Sequence, residues 1–145
     1  IALGRRPRST PLILRAVYEF LISSHHLRGA REWTLVHRDL HDMNMITTKH
    51  KVILIDFQIA AVAHPYWELA GAAVQEWSDS KFRSAFLKLP IVRRITSNRK
   101  KKSLYRVFAL YRVIADFAFE YPDREPAAAR YFDDIVDMGE KTQRA

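Results

Sequence analysis

The stretch that decides the fold is His37-Arg38-Asp39-Leu40-His41-Asp42-Met43-Asn44, followed after a short gap by Leu54-Ile55-Asp56-Phe57-Gln58. It contains one aspartate, Asp39, an asparagine five residues later, Asn44, and a second aspartate twelve residues after that, Asp56. Magnesium in proteins takes a few hard oxygen ligands and keeps several waters. In phosphoryl transfer, a further carboxylate orients or deprotonates the attacking hydroxyl. The order and spacing of the three residues therefore predict a magnesium-dependent phosphoryl-transfer site.

The segments on either side of these residues have the composition of short strands. Residues 34–36 are predicted to form a strand that leads into His37, and residues 51–55 a buried, branched and apolar strand that ends at Asp56. Residues 47–50 form a polar connection between Met45-Ile46 and the second of these strands. Both aspartates are thus expected at strand ends or in loops, where catalytic residues tend to lie.

The first motif resembles the catalytic loop of protein-kinase-like phosphotransferases, and residues 56–58 stand where that superfamily has Asp-Phe-Gly. The resemblance implies a kinase that uses ATP and Mg²⁺ and transfers the γ-phosphoryl group to an alcohol. It assigns Asp39 as the catalytic residue and Asn44 and Asp56 as the metal ligands.

The sequence around the motif favours a small-molecule kinase over a protein kinase. Asp39-Leu40-His41 and the glutamine at position 58 are similar to aminoglycoside and choline kinases. Only residues 59–64 separate the second motif from the helix predicted to begin near Pro65, which leaves no room for a peptide-docking segment. We therefore expect a small hydroxyl-bearing or sugar-like acceptor. Arg38 departs from this branch and also resembles kinases of lipopolysaccharide core sugars, which are the second candidate branch.

The resemblance also implies a set of supporting residues around the catalytic loop. It implies that His37 packs under the loop and hydrogen-bonds to backbone, and that His41 lies near the phosphates. Glu68 stands where a carboxylate accepts hydrogen bonds from the backbone of the loop. Arg38 is either a cation for an anionic substrate or a partner of a nearby carboxylate. These supporting positions are His37, Arg38, His41, Phe57 and Glu68.

The composition is that of one globular domain with a basic surface. The chain has 145 residues, 48% of them hydrophobic, no Cys and a formal net charge of +8. Without a long apolar run or a signal peptide, a cytoplasmic protein is expected. The positive charge favours anionic partners such as ATP, a phosphosugar, anionic membrane lipids or lipopolysaccharide. No recognisable nucleic-acid-binding motif accompanies it, which disfavours nucleic acid.

The four glycines, Gly4, Gly29, Gly71 and Gly139, are scattered and form no phosphate-covering loop. No strand with a nucleotide-clamping lysine precedes the catalytic loop, and the chain begins at Ile1. We therefore expect residues 1–145 to be a single domain, the C-terminal lobe of a kinase-like fold, with the N-terminal lobe outside this chain. On its own such a lobe should have little or no turnover, since it lacks the phosphate clamp.

The fold class expected is α+β and mostly helical, with a small β-hairpin carrying the catalytic and metal-binding loops. After a basic segment containing Arg5, Arg6 and Arg8, helices are predicted from Pro11 to about His26 and at about 66–77. A short helix capped by residues 78–80 should end by Pro90, a helix capped by Ser103 should run from about 104 to 121 and stop at Pro122, and a last one should begin near Pro126. The first presents Leu14, Val17, Tyr18 and Leu21 at helical spacing, and the basic run Arg99 to Lys102 is predicted to be a solvated loop.

Two alternatives from other functional classes remain at this stage. A degenerate kinase lobe could serve as a non-catalytic pseudokinase or partner-binding module. The pattern His37-X-Asp39-X-His41 also occurs in metallohydrolases, which hold transition metals with histidine and aspartate. No motif after residue 70 identifies the acceptor.

Overall fold

The structure is a computed structural model that describes residues 10–115 and 129–134. The basic residues Arg5, Arg6 and Arg8 and the predicted helix boundaries at Pro122 and Pro126 lie outside the described residues. The described part is mostly helical with two small antiparallel sheets, so the predicted α+β class is confirmed.

Five α-helices make up most of the described chain. They are α1 (Thr10–Ser23), α2 (Tyr66–Glu76), α3 (Ser80–Lys88), α4 (Pro90–Thr96) and α5 (Arg99–Ala115), and residues 129–134 are also helical. A 3₁₀ turn at Ser24–Gly29 follows α1, so this helix ends three residues earlier than predicted. Helix α3 begins where its cap was predicted, because Asp79 Oδ1 accepts from the backbone N–H groups of Lys81 (2.7 Å) and Phe82 (3.3 Å).

Two short ribbons hold the motif-bearing loops. Strand β1 (Thr34–Val36) pairs with β4 (Ala61–Ala63), and β2 (Met45–Thr47) pairs with β3 (Val52–Leu54) in a hairpin. The first motif lies between β1 and β2, and the second lies between β3 and β4. The predicted hairpin is therefore present, whereas strand β4 was not predicted from the sequence.

The prediction that residues 51–55 form a buried strand is wrong about burial. Val52 is 57% exposed, and Ile53, Leu54 and Ile55 are also exposed. A two-stranded ribbon covers neither of its own faces, so its side chains are buried only where another element packs on them.

The core lies where α1 and α2 pack on α5. On α5, Val107, Ala109, Leu110 and Val113 are buried, and each fully buried Val or Leu contributes about 1.5–3 kcal/mol. The helical residues 129–134 cover one end of this core with Tyr131, whose hydroxyl lies 2.6 Å from that of Tyr105.

The face of α1 that enters the core is not the predicted one. Leu14 and Tyr18 are 64% and 62% exposed, and Leu21 is equally exposed, whereas Ala16 is fully buried. Helix α1 is apolar on more than one side, so helical periodicity alone did not identify the face that contacts α5. The partly buried residues that flank Ala16 in the core are Leu12, Ile13 and Phe20.

The predicted basic loop before α5 is wrong as well. Residues 90–96 form α4, with Val92 and Ile95 buried, and the run from Arg99 to Lys102 is the first turn of α5. The helix is capped by Asn98, whose Oδ1 accepts from the Lys101 N–H at 3.1 Å, and not by Ser103. Lysine and arginine are good helix formers, so charge by itself does not end a helix.

No helix within residues 10–115 or 129–134 is both long and apolar enough to cross a bilayer.

Candidate active site

The loop from His37 to Asn44, called the catalytic loop after the motif that it resembles, follows β1 and closes in a 3₁₀ turn at Asp42–Asn44. The backbone N–H of Asn44 donates to His41 O at 3.0 Å, and the Met43 N–H donates to Asp42 Oδ1 at 2.9 Å. These bonds span at most three residues, so the sequence of the loop specifies its own turn. The turn brings the Asn44 side chain back towards Asp39.

Asn44 is 7% exposed and directly contacts Asp39. Its Nδ2 donates to both Asp39 O and Asp39 Oδ2, each at 3.0 Å. Since both partners are acceptors, the amide nitrogen and not the amide oxygen must face Asp39. The amide oxygen has no hydrogen-bond partner among the described residues. One end of Asn44 thus positions the carboxylate, and the other end is available as an oxygen ligand.

Asp56 is anchored to the same loop through the residue before it. The Ile55 N–H donates to Asn44 O at 3.0 Å, and Ile55 O lies 2.7 Å from His37 Nε2. Asp56 itself is exposed and adopts a left-handed backbone with φ of 61°. Within the described part of the chain its carboxylate makes no hydrogen bond or ion pair. Asn44 and Asp56 together offer hard oxygen donors without competing partners, which fits magnesium.

His37 packs beneath the loop and is 4% exposed. Because the carbonyl of Ile55 can only accept, the proton of the neutral ring must lie on Nε2. The ring also contacts Phe57, with centroids 4.5 Å apart.

In residues 10–115 and 129–134, no three His, Asp or Glu side chains form a group that could hold a metal. The His37, Asp39 and His41 arrangement expected of a metallohydrolase is therefore not present.

His41 belongs to the cluster around Asp39. Its Nε2 lies 3.5 Å from Asp39 Oδ2 and 3.1 Å from Asn44 Nδ2. The side chain is one-third exposed, so it borders the open side of the loop. A charged group placed beside Asp39 would therefore also lie close to the His41 ring.

Arg38 and Glu68 connect the loop to α2. The backbone N–H of Arg38 donates to Glu68 Oε2 at 2.9 Å, while the guanidinium lies 5.8 Å from the centre of the Trp67 ring. Glu68 therefore binds the backbone of Arg38 and not its side chain. Arg38 has a φ of 72°, and a left-handed backbone at a residue with a side chain costs about 1–3 kcal/mol. The charge-assisted bond to Glu68 offsets part of that cost.

Trp67, Gly71 and Arg112 support this connection, and sequence reasoning did not select them. Arg112, on α5, places its Cζ 5.5 Å from the centroid of the Trp67 ring. The Arg38 guanidinium also lies over this ring, at 5.8 Å. A Cβ at position 71 would lie 3.3 Å from Arg112 Nε, so glycine leaves the space that the buried arginine side chain needs. The signal available in the sequence was Arg112, a charge that lies between Tyr111 and Val113 in the otherwise apolar C-terminal half of α5.

An open, apolar cleft of about 320 Å³ borders the catalytic loop. It begins at Leu40, the residue after Asp39, and continues between α2, α3 and the start of α4. Within the described part of the chain, Glu68 is the only acidic or basic side chain in its lining. The side chains that line its apolar wall include Leu69, Ala72, Phe82, Phe86, Leu89 and Ile91.

Comparison with known proteins agrees with the chemistry of this loop. The family model APH, a phosphotransferase enzyme family, matches residues 5–94, which is more than half of the 145 residues and includes both motifs. No curated protein and no solved structure matches the chain significantly. The chain belongs to the APH phosphotransferase enzyme family.

Proposed function

We propose that the protein is an ATP- and magnesium-dependent kinase that transfers the γ-phosphoryl group to a hydroxyl of a small, sugar-like acceptor. The observation that supports this most directly is the contact of Asn44 Nδ2 with Asp39 Oδ2 at 3.0 Å, which leaves the amide oxygen available. Membership of a phosphotransferase family supports the reaction class.

In this proposal Asp39 orients the acceptor hydroxyl and takes its proton. The carboxylate side chain is 42% exposed, so a substrate can reach it, and the hydrogen bond from Asn44 holds it in place. Asn44 and Asp56 would hold the magnesium ion. The chemistry that a bound ion supplies is neutralisation of the phosphate charge. Most of the rate enhancement then comes from positioning.

The cleft beside Leu40 is the proposed place for the rest of the acceptor. It starts one residue from Asp39, so a molecule held there presents a hydroxyl near the carboxylate. The apolar wall favours an acceptor with a non-polar side.

The described residues are proposed to form the C-terminal lobe of a kinase-like fold. In support, the β1–β4 ribbon exposes Leu35 and Val62, which are 64% and 69% accessible. Apolar side chains side by side on one ribbon are typical of a surface that another segment covers. The chain has no Cys, so Val62→Cys gives a single labelling site. A thiol reagent should modify it quickly in residues 1–145 and slowly in the whole gene product; equal rates would contradict the proposal.

Metal binding can be tested directly with Mn²⁺ as a paramagnetic substitute for Mg²⁺. In the wild type, Mn²⁺ should broaden the NMR signals of the Asn44 side-chain amide and the Asp56 backbone first. Asp56→Asn should remove this selectivity. Asp133→Asn, which removes the same charge from an exposed residue outside the loop, should leave it unchanged. Broadening that is the same in both variants would contradict the ligand role.

Turnover separates a kinase from a non-catalytic module. In the whole gene product, Asp39→Asn should abolish transfer from γ-labelled ATP to a panel of small alcohols and sugars, while the selective Mn²⁺ broadening persists. A rate within a few-fold of wild type would exclude the role of Asp39. Nucleotide binding without transfer to any acceptor in the wild type would instead favour the partner-binding alternative.

A further inference from the structure

A second cavity, of about 510 Å³, lies at the far end of the β1–β4 ribbon from the catalytic loop. Arg31 and Glu32, which precede β1, and His64, which follows β4, are in its wall. The catalytic loop leaves the opposite end of β1, and Thr34 pairs with Ala63 at the cavity end. Three strand residues, at roughly 3.3 Å each, separate the two places. The volume falls within the range of about 300–1,000 Å³ that small-molecule sites occupy.

The charges around this cavity are mainly positive. Arg31, Lys100 and Lys101 contribute three cations, against one carboxylate from Glu32. The two lysines lie in the first turn of α5, which contains no acidic residue. A helix N-terminus carries a partial positive charge and favours anions, so cations there are unfavourable by about 0.3–1 kcal/mol each. An anion in the cavity would compensate both the lysines and the helix end.

His64 provides an independent sign of a ligand. Its side chain lines the cavity and is 2% exposed. Nδ1 accepts from the Tyr66 N–H at 3.2 Å, so the proton of the neutral ring is on Nε2. Burial lowers the pKa of His64 and keeps the ring neutral, although the charge of Glu32 acts in the other direction. Within the described residues this Nε2–H has no acceptor. The Nε2–H is not sealed from solvent, so a ligand in the cavity can accept a hydrogen bond from it.

Rings form the remaining wall of the cavity. The rings of His25 and His26 lie with their centroids 3.9 Å apart, and His64 stacks on Phe108 at 4.9 Å. Tyr66 and Leu104 complete the lining. Flat and apolar surfaces beside cations favour a ligand that has both an anionic group and a ring or hydrocarbon body.

We propose that this cavity is a second binding site, which takes a small organic phosphate ester. Its phosphate is held by Arg31, Lys100, Lys101 and the start of α5, and its body lies against the histidine and tyrosine rings. His64 donates its Nε2–H to the ligand. The site is separate from the catalytic loop and does not depend on the function proposed for that loop.

The test uses phenyl phosphate as the probe, because it combines a dianion with a flat ring. Isothermal titration of the 145-residue chain at about 0.1 M ionic strength, where the Debye length is about 10 Å, should give saturable 1:1 binding. EDTA is present so that no metal at the catalytic loop contributes. Phenol, which lacks the phosphate, should not bind. Lys100→Ala/Lys101→Ala should raise the Kd by roughly tenfold or more, since two charge-assisted contacts are lost.

Lys81→Ala/Lys88→Ala is the matched control, since it removes the same charge from α3, outside the cavity wall. It should change the Kd by less than about twofold, because exposed charges beyond the Debye length are screened. Arg31→Ala tests the same wall from a loop position, in case the α5 variant does not fold. Equal weakening in the cavity and control variants, or no saturable binding of phenyl phosphate to the wild type, would overturn the proposal.

Discussion

Replacing Asn44 by aspartate is the most informative perturbation of the candidate site. The substitution Asn44→Asp keeps the size and shape of the side chain but exchanges the amide donor for a carboxylate oxygen. Two carboxylates would then face each other where Nδ2 now lies 3.0 Å from Asp39 Oδ2. The variant therefore loses an attraction and gains a repulsion at one place.

The expected cost follows from two contributions. A hydrogen bond to a charged group contributes about 1.5–3 kcal/mol to stability. Two charges about 4 Å apart repel by about 4 kcal/mol at an effective dielectric constant of 20. The Asp39 side chain is 42% exposed, so solvent screening reduces this repulsion to about 1–2 kcal/mol. Asn44→Asp should thus lower the free energy of unfolding by about 3–5 kcal/mol at neutral pH.

Urea denaturation followed by circular dichroism measures this difference. Asn44→Ala is the control, since it loses the hydrogen bond without gaining a charge, and should cost about 1–2 kcal/mol less. The difference between the two variants should shrink towards pH 4, where one carboxylate takes up a proton and donates the hydrogen bond again. Added Mg²⁺ should also reduce it at neutral pH, because a divalent ion relieves the repulsion.

Two results would refute this reasoning. If Asn44→Asp were no less stable than Asn44→Ala at neutral pH, the two side chains would not face each other as the structure has them. If Mg²⁺ stabilised wild type and both variants equally, Asn44 would have no part in a metal site.

Three further perturbations test the surroundings of the loop. Glu68→Ala should lower the free energy of unfolding by about 1.5–3 kcal/mol, because the Arg38 N–H loses its charged acceptor. In thermal unfolding, Glu68→Gln should recover part of this loss, since its amide oxygen can still accept. If both variants lost the same stability, the 2.9 Å bond would contribute nothing. Gly71→Val should cost about 1–3 kcal/mol by pushing on Arg112, and should shift Trp67 fluorescence relative to a conservative change at exposed Lys81. Burial raises the pKa of Tyr105 above its ordinary value of 10.0, so ionisation favours the unfolded chain once pH rises above 10, and stability should fall by up to about 1.4 kcal/mol per pH unit; Tyr105→Phe should flatten this alkaline slope, and an unchanged slope would contradict the buried hydroxyl pair.

Features held by interactions between residues close in sequence were predicted better than features held by contacts between distant segments. Asp39 and Asn44 are five residues apart, and a turn closed by short-range hydrogen bonds joins them, so their spacing was enough to predict that they act together. The cap of α3 at Asp79 is equally local, and it was also predicted. The predicted cap of α5 at Ser103 is wrong, because the basic run Arg99 to Lys102 is helical and Asn98 caps it.

The remaining features depend on contacts between distant segments. Asp56 is placed because Ile55 bonds to both His37 and Asn44, and Arg38 holds its left-handed backbone beside a carboxylate thirty residues away. The sequence also could not reveal that Leu14 and Tyr18 face outwards, because α1 is apolar on more than one side.

By itself, the sequence determined the mostly helical α+β class and the phosphotransferase family to which the chain belongs, and it predicted the roles of Asp39, Asn44 and Asp56. Residue types and local turns fix these properties, since they need no partner from elsewhere in the chain. Only the tertiary structure decided which faces are buried and where the second, basic cavity forms. Those outcomes depend on how helices and ribbons pack, and packing is a property of the whole chain.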